Sequence, residues 1–161
     1  MCRGLPSSLR CLSVRGNWLL TAGAEALGRT LSESPCYPSL LTLDLAANAI
    51  GGAGAEGLRL PPALQHFDVS KNELGARGFE ALARQLPNSL LTLRLGYNEQ
   101  CGAQGSAALE RGLPASLQHL SLEYCFLGVA GSEALGRLPP SLRFLNLEFS
   151  RLGAAGGGVI G

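Results

Sequence analysis

One apolar pattern recurs six times along the chain and leaves few folds open to it. "SLRCLSVRGNWL" starts at Ser8, "SLLTLDLAANAI" at Ser39 and "ALQHFDVSKNEL" at Ala63. "SLLTLRLGYNEQ" starts at Ser89, "SLQHLSLEYCFL" at Ser116 and "SLRFLNLEFSRL" at Ser141. With small departures, each reads L-x-x-L-x-L-x-x-N/C/S-x-L. Counting position one from the first leucine, the units begin at Leu9, Leu40, Leu64, Leu90, Leu117 and Leu142. The intervals are 31, 24, 26, 27 and 25 residues. A self-similar period of this size means stacked supersecondary units that bury one continuous core between neighbours.

The second half of the unit repeats as well. Leu19-Gly23-Leu27, Ile50-Gly54-Leu58, Leu74-Gly78-Leu82, Leu127-Gly131-Leu135 and Leu152-Gly156-Ile160 all follow an i, i+4, i+8 spacing. The fourth unit carries one extra residue and runs Gln100, Gly105, Leu109. Spacing by four places apolar residues on one face of a short helix, and "GARGFEALARQL" puts Phe79, Leu82 and Leu86 on that face. The first half alternates at period two, so Leu43 and Leu45 point inward while Thr42 and Asp44 point out. Asn17, Asn48, Asn72 and Asn98 share position nine. They are expected to turn inward and satisfy loop backbone groups that would otherwise be buried unpaired. Cys125 and Ser150 take that place in the last two units.

The chain resembles the leucine-rich-repeat family over nearly its whole length, and the glycine-containing second half resembles the intracellular, ribonuclease-inhibitor-like type. The resemblance implies an α/β horseshoe solenoid of about six repeats, with parallel strands on the concave face and short helices on the convex face. It also implies scaffold, inhibitor or sensor roles. A GTPase-activating family shares this repeat type, so regulation of a small GTPase is one alternative function.

Gly52, Gly54 and Gly57 spell G-x-G-x-x-G after a strand-like run, the fingerprint of a dinucleotide site. The repeat explains them without a nucleotide. Gly54 matches Gly23, Gly78, Gly105, Gly131 and Gly156, and Gly51 matches Gly75, Gly128 and Gly153. The next strand begins near Leu64, too soon for the helix of a dinucleotide unit.

The remaining composition narrows the function further. Hydrophobic residues are 46% and charged residues 16% of 161, which excludes a disordered chain. A net charge of +1 suggests neither nucleic acid nor an anionic membrane as partner. No apolar run is long enough to span a bilayer, and Pro6, Arg10 and Arg15 interrupt any secretory leader. Five cysteines, Cys2, Cys11, Cys36, Cys101 and Cys125, form no C-x-x-C pair. They are expected to be free, mostly buried thiols in a reducing compartment, hence an intracellular and most simply cytoplasmic protein. No clustered ligand set suggests zinc or any other cofactor.

No catalytic set emerges either. His66 and His119 share position three two repeats apart, about 10 Å, too far to hold one metal ion. Asp44 and Asp68 stand at position five in adjacent repeats, where a paired-acid site is conceivable, but Arg94 lies next in the row and no pocket-forming segment accompanies them.

The outward positions form rows across the strands. Position eight runs Gly16, Ala47, Lys71, Tyr97, Tyr124, Phe149, and position seven runs Arg15, Ala46, Ser70, Gly96, Glu123, Glu148. Tyr97, Glu123, Tyr124, Phe144, Glu148 and Phe149 make the C-terminal half of the face aromatic and acidic. Exposed aromatics anchor interfaces, and the carboxylates favour a partner segment carrying Lys or Arg. The expected function is therefore non-catalytic protein binding on the concave face. On the helix side, Glu25/Arg29, Glu80/Arg84 and Glu133/Arg137 fall at i, i+4 and are expected to pair on the surface.

The chain reads as a single repeat domain over residues 1–161. It opens on what resembles the tail of an earlier repeat and closes on a glycine-rich "AAGGGVIG" without a polar cap. A segment of a longer array, contributing length without a binding site of its own, is thus a second alternative. Self-association through the open ends is expected on the same grounds.

Overall fold

The computed structural model describes residues 6–32, 39–154 and 156. Among the described residues six three-residue strands alternate with five helices. β1 is Cys11–Ser13, β2 Thr42–Asp44, β3 His66–Asp68, β4 Thr92–Arg94, β5 His119–Ser121 and β6 Phe144–Asn146. Between them run α1 (Leu20–Ser32), α2 (Gly51–Gly57), α3 (Gly75–Ala83), α4 (Gly102–Gly112) and α5 (Gly128–Ala134), the last followed by a 3-10 turn over Leu135–Arg137. The strands form one parallel sheet in the order β1-β2-β3-β4-β5-β6. Register follows the repeat: Leu12, Leu43, Phe67, Leu93, Leu120 and Leu145 stand opposite one another in turn. Each helix packs on its neighbours in sequence, as a solenoid requires.

The core lies between sheet and helices. Positions one, four and six are fully buried in the second repeat as Leu40, Leu43 and Leu45, with Ile50 at position eleven. Phe67, Val69 and Leu74 do the same in the third repeat. In the first repeat Leu9, Leu12 and Val14 are only partly buried against this core, as are Leu142, Leu145 and Leu147 in the sixth. Helices as short as seven residues, with no side-chain cap, hold together by this packing rather than by propensity. Phe79 and Leu82 are buried on α3 as expected, whereas Leu86 packs from beyond the helix end.

Two backbone demands account for the glycines. Gly51 opens α2 at φ +69°, a left-handed conformation that glycine adopts without cost. Gly54 lies where α2 approaches α1, and a Cβ there would come within 2.6 Å of Ile50 Cγ2 and 3.1 Å of Thr21 Cα. The other two glycines of the G-x-G-x-x-G run are packed likewise: a Cβ at Gly52 would come within 3.1 Å of Arg77 of α3, and one at Gly57 would collide with Glu25 of α1.

The asparagines form an inner ladder. Asn48, Asn72 and Asn98 are fully buried. Asn72 Nδ2 donates to the carbonyls of Leu45, Val69 and Ser70, and its Oδ1 accepts from the amides of Asn48 and Ile50. Cys125 Sγ reaches the Leu95 carbonyl at 3.2 Å, and Ser150 Oγ donates to the Leu122 carbonyl at 2.6 Å, so both keep one rung. Asn17 is solvent-exposed but still turns back onto the carbonyls of Val14 and Arg15.

Several expectations need correcting. The extra residue of the fourth repeat is not accommodated in its helix. Gln100 is pushed out at φ +62°, and Cys101 takes the buried place of the last leucine, so the i, i+4, i+8 series there is Cys101, Gly105, Leu109. Cys11 is an exposed thiol on the sheet, while Cys101 and Cys125 are buried. Cys2, Cys36 and Ile160 lie outside the described residues. Of the three expected i, i+4 pairs only Glu80 and Arg84 meet, at 3.5 Å. Arg137 instead reaches Glu110 at 3.8 Å, and Arg77 of α3 makes a two-pronged pair with Glu56 of α2, both contacts at 2.7 Å. These ties run between repeats, because the close lateral packing of helices brings the next repeat's side chains nearer than the next turn's.

One structural row carries no sequence expectation. Ser89, Ser116 and Ser141, each directly before a position-one leucine, donate to the carbonyls of Leu64, Leu90 and Leu117 of the preceding repeat. The recurrent Ser-Leu at the start of the units is the signal that could have found it.

Candidate functional site

Position eight sits just past each strand, in the left-handed region in every repeat: Ala47 at φ +57°, Lys71 at +57°, Tyr97 at +58°, Tyr124 at +54° and Phe149 at +54°. This turn lifts the side chain off the sheet and aims it away from the core. Three consecutive aromatics in that row therefore meet face to face. The rings of Tyr97 and Tyr124 stack with centroids 4.7 Å apart and planes at 12°. Tyr124 and Phe149 stack at 4.7 Å and 22°. Lys71 Nζ lies 4.7 Å from the Tyr97 centroid and closes the near end of the stack. Tyr97 is 43% and Phe149 67% exposed.

Phe144 stands apart from this stack. It occupies position three of its repeat, the first residue of β6, at the opposite end of the strands, is 53% exposed and tilts against His119 at 6.0 Å. Between the two aromatic edges the sheet floors a concavity of about 690 Å³. Tyr97, Glu123 and Phe144 line it; Tyr124, Phe149 and Glu148 do not. The six expected residues thus split into a lining group and a rim group. Period-two alternation assigns a face to each residue but not its place between floor and rim.

Glu123 is held in place by its surroundings. Its carboxylate accepts from the Ser121 hydroxyl and lies over Gly96 of the neighbouring repeat. Any side chain at 96 would collide with that carboxylate. Glu148 is exposed, and its amide donates to Asn146 Oδ1 at 3.0 Å.

The other half of the concavity is basic, which the sequence reading did not anticipate. Arg15, Lys71 and Arg94 line it together with Asp68. Asp68 Oδ1 accepts from the Ser70 amide and Asp44 Oδ1 from the Ala46 amide, both at 3.0 Å. Arg15 lies 3.9 Å from Asp44 and 3.8 Å from Asp68, and Arg94 lies 3.9 Å from Asp68. The two carboxylates are therefore turn caps inside a loose charge cluster, and nothing in their setting makes them an acid–base pair. Arg15 was the missing member: it belongs to the first repeat, yet the stacking lays it beside the acids of the second and third repeats.

His66 Nδ1 lies 3.1 Å from Thr92 Oγ1, and Thr92 separates His66 from His119 in the strand register. Among the described residues no group of three or more His, Cys, Asp or Glu side chains gathers as a metal site would need. No helix among them is long and apolar enough to cross a membrane.

The family model described as Leucine Rich repeat matches residues 6–28, 38–58 and 62–83, the first three units of the pattern. Such repeats in general mediate protein–protein interaction, and the family is typically non-catalytic. The matched units, and the six-stranded parallel sheet that continues their register to Asn146, show a leucine-rich-repeat α/β solenoid.

Proposed function

We propose that this protein is a non-catalytic interaction module that takes a protein partner, one with a basic segment, on the concave face of its C-terminal half. The observation that carries this reading is the Tyr97–Tyr124–Phe149 stack on left-handed backbone. A non-glycine residue there costs about 1 kcal/mol or more. An aromatic pair returns about 0.5–1.5 kcal/mol. Two pairs therefore do little more than offset three strained residues, and sheet stability gives weak reason to keep bulky aromatics in the row. Anchoring a partner gives a better one. Glu123 and Glu148 alongside supply the charge that a Lys or Arg of the partner would meet. The free thiols Cys11, Cys101 and Cys125 support an intracellular, reducing setting.

The test is a paired pull-down from cell lysate. One bait is the wild-type chain; the other carries Tyr97→Ala, Tyr124→Ala and Phe149→Ala, with a circular dichroism melt to establish that it folds. A partner retained by the first bait and lost by the second is expected. Equal recovery by the two baits places binding elsewhere, and no recovery by either favours a structural segment without a site of its own.

A further inference from the structure

The concave face is divided by charge. Position five runs Ser13, Asp44, Asp68, Arg94, Ser121, Asn146, and position seven runs Arg15, Ala46, Ser70, Gly96, Glu123, Glu148. On the side of the first four repeats, both acids spend an oxygen on a backbone amide of their own turn. The guanidiniums of Arg15 and Arg94 stay 3.8–3.9 Å from them, outside hydrogen-bond distance. Arg15 and Arg94 are 53% and 63% exposed, Lys71 lies over the face of the Tyr97 ring, and no acceptor among the described residues comes within hydrogen-bond distance of their donors. In the sixth repeat the turn-capping role passes to the uncharged Asn146, which takes the Glu148 amide, and in the fifth Ser121 donates its hydroxyl to the Glu123 carboxylate instead. Glu123 lines the groove and Glu148 stands exposed at its rim.

The aromatic stack adds a restriction. Lys71 covers one face of Tyr97, Tyr124 covers the other, and Phe149 covers the far face of Tyr124. The faces of both tyrosines are occupied, and only ring edges remain. Ring edges are the positive rim of the quadrupole, so these tyrosines do not take a partner's cation; they offer apolar edge contact. The cation must be read by the carboxylates instead.

Resting on the reading above, we propose that this face binds one extended segment of a partner protein that carries both charges. A carboxylate side chain meets Lys71 and Arg94, a Lys or Arg meets Glu123 and Glu148, and an apolar side chain between them lies along the edges of the Tyr97–Tyr124 stack. From the repeat of Lys71 to that of Glu148 are three strand spacings, about 14 Å at ~4.8 Å each. An extended segment covers that distance in about four residues at ~3.3 Å each. Opposite charges at that separation also set the direction in which the segment lies.

A random-peptide display library selected on the full chain tests this. The enriched peptides are expected to carry an acidic and a basic residue about four positions apart, with an apolar residue between. In fluorescence polarisation with the best peptide, Lys71→Ala with Arg94→Ala is expected to weaken binding about tenfold or more. Replacing the peptide's acid by its amide is expected to do the same, with no further loss when both changes are combined. Glu123→Gln with Glu148→Gln should behave likewise toward the peptide's basic residue. Gly96→Ala, which displaces the Glu123 carboxylate without touching the partner, gives an independent variant on ordinary backbone. Enrichment of purely basic peptides, indifferent to Lys71 and Arg94 but dependent on Glu123 and the aromatics, overturns the two-charge segment and leaves the basic-partner reading standing. Binding that ignores the aromatics and both glutamates overturns both. Failure to enrich any peptide overturns an extended segment as the occupant, while the pull-down still reads the broader function.

Discussion

The backbone amide of Asn48 donates to Asn72 Oδ1 at 3.0 Å, across the boundary between two repeats. One side chain thereby closes its own turn and pins the turn before it. Asn72→Ala leaves two buried amides without a partner and takes one of two donors from each of three buried carbonyls, so a loss of about 2–4 kcal/mol is expected in urea denaturation. Cys125 fills the same position with a single weak donor. Cys125→Asn restores the amide donors and is expected to stabilise by about 1 kcal/mol.

The glycines divide by what surrounds them. Gly75 has φ +55° and open space about its Cβ position, so Gly75→Ala carries only the backbone cost of about 1 kcal/mol. Gly28 of α1 faces the Gly57 carbonyl of α2, which would collide with any Cβ and cannot move without shifting a helix. Gly28→Ala is expected to cost about 3 kcal/mol. Leu20 is the converse case. It stands at φ +56°, where the next repeats place Gly51, Gly75, Gly102, Gly128 and Gly153, and its side chain is 52% exposed. Leu20→Gly is expected to raise the melting temperature, with a gain of about 0.5–1 kcal/mol.

The three described thiols should separate chemically. Burial pushes Cys101 and Cys125 up to about 12, so both stay protonated and unreactive at neutral pH. Alkylation of the native protein is expected to label Cys11 and spare those two until the chain unfolds, which mass spectrometry reads directly. The same shift has a sign for stability. A thiol that holds its proton more tightly when folded contributes fully below its unfolded value near 9. That contribution is lost as pH rises from there toward the folded value of about 12, because the unfolded chain then releases protons that the fold retains. Stability is expected to fall across that window, and to fall less steeply in Cys101→Ala.

Arg77 holds the Glu56 carboxyl below the ordinary carboxylate range, through its hydrogen bonds first and its charge second. Carbon-detected NMR titration should place the Glu56 midpoint below that of a free glutamate, and Arg77→Gln should return it upward. The contribution of this pair is present above the unfolded carboxylate value and is lost as pH falls through the folded one. A midpoint unchanged by Arg77→Gln would show the pair to be open in solution.

Much of the fold was legible because its cause is periodic. Leu43, Phe67, Leu93 and Leu120 are read as core from alternation alone, and Asn48, Asn72 and Asn98 as ladder residues from recurrence at position nine. The aromatic row was legible for the same reason, since one position repeated across parallel strands must form a line. Cys101 was misplaced because a one-residue insertion can be absorbed at several points of a turn, and packing decides which. Phe144 was grouped with Tyr97, although strand direction puts them on opposite edges.

The amino-acid sequence by itself determined the repeat, the buried set and the row to which each outward residue belongs, because these follow from spacing along one chain. Only the tertiary structure decided how neighbours in different rows meet. The closure of the Tyr97 stack by Lys71, the seat of Glu123 over Gly96 and the reach of Arg15 to Asp68 depend on side-chain conformations and on strands packed side by side. Those distances run across the repeats, where sequence separation carries no information about angle or reach.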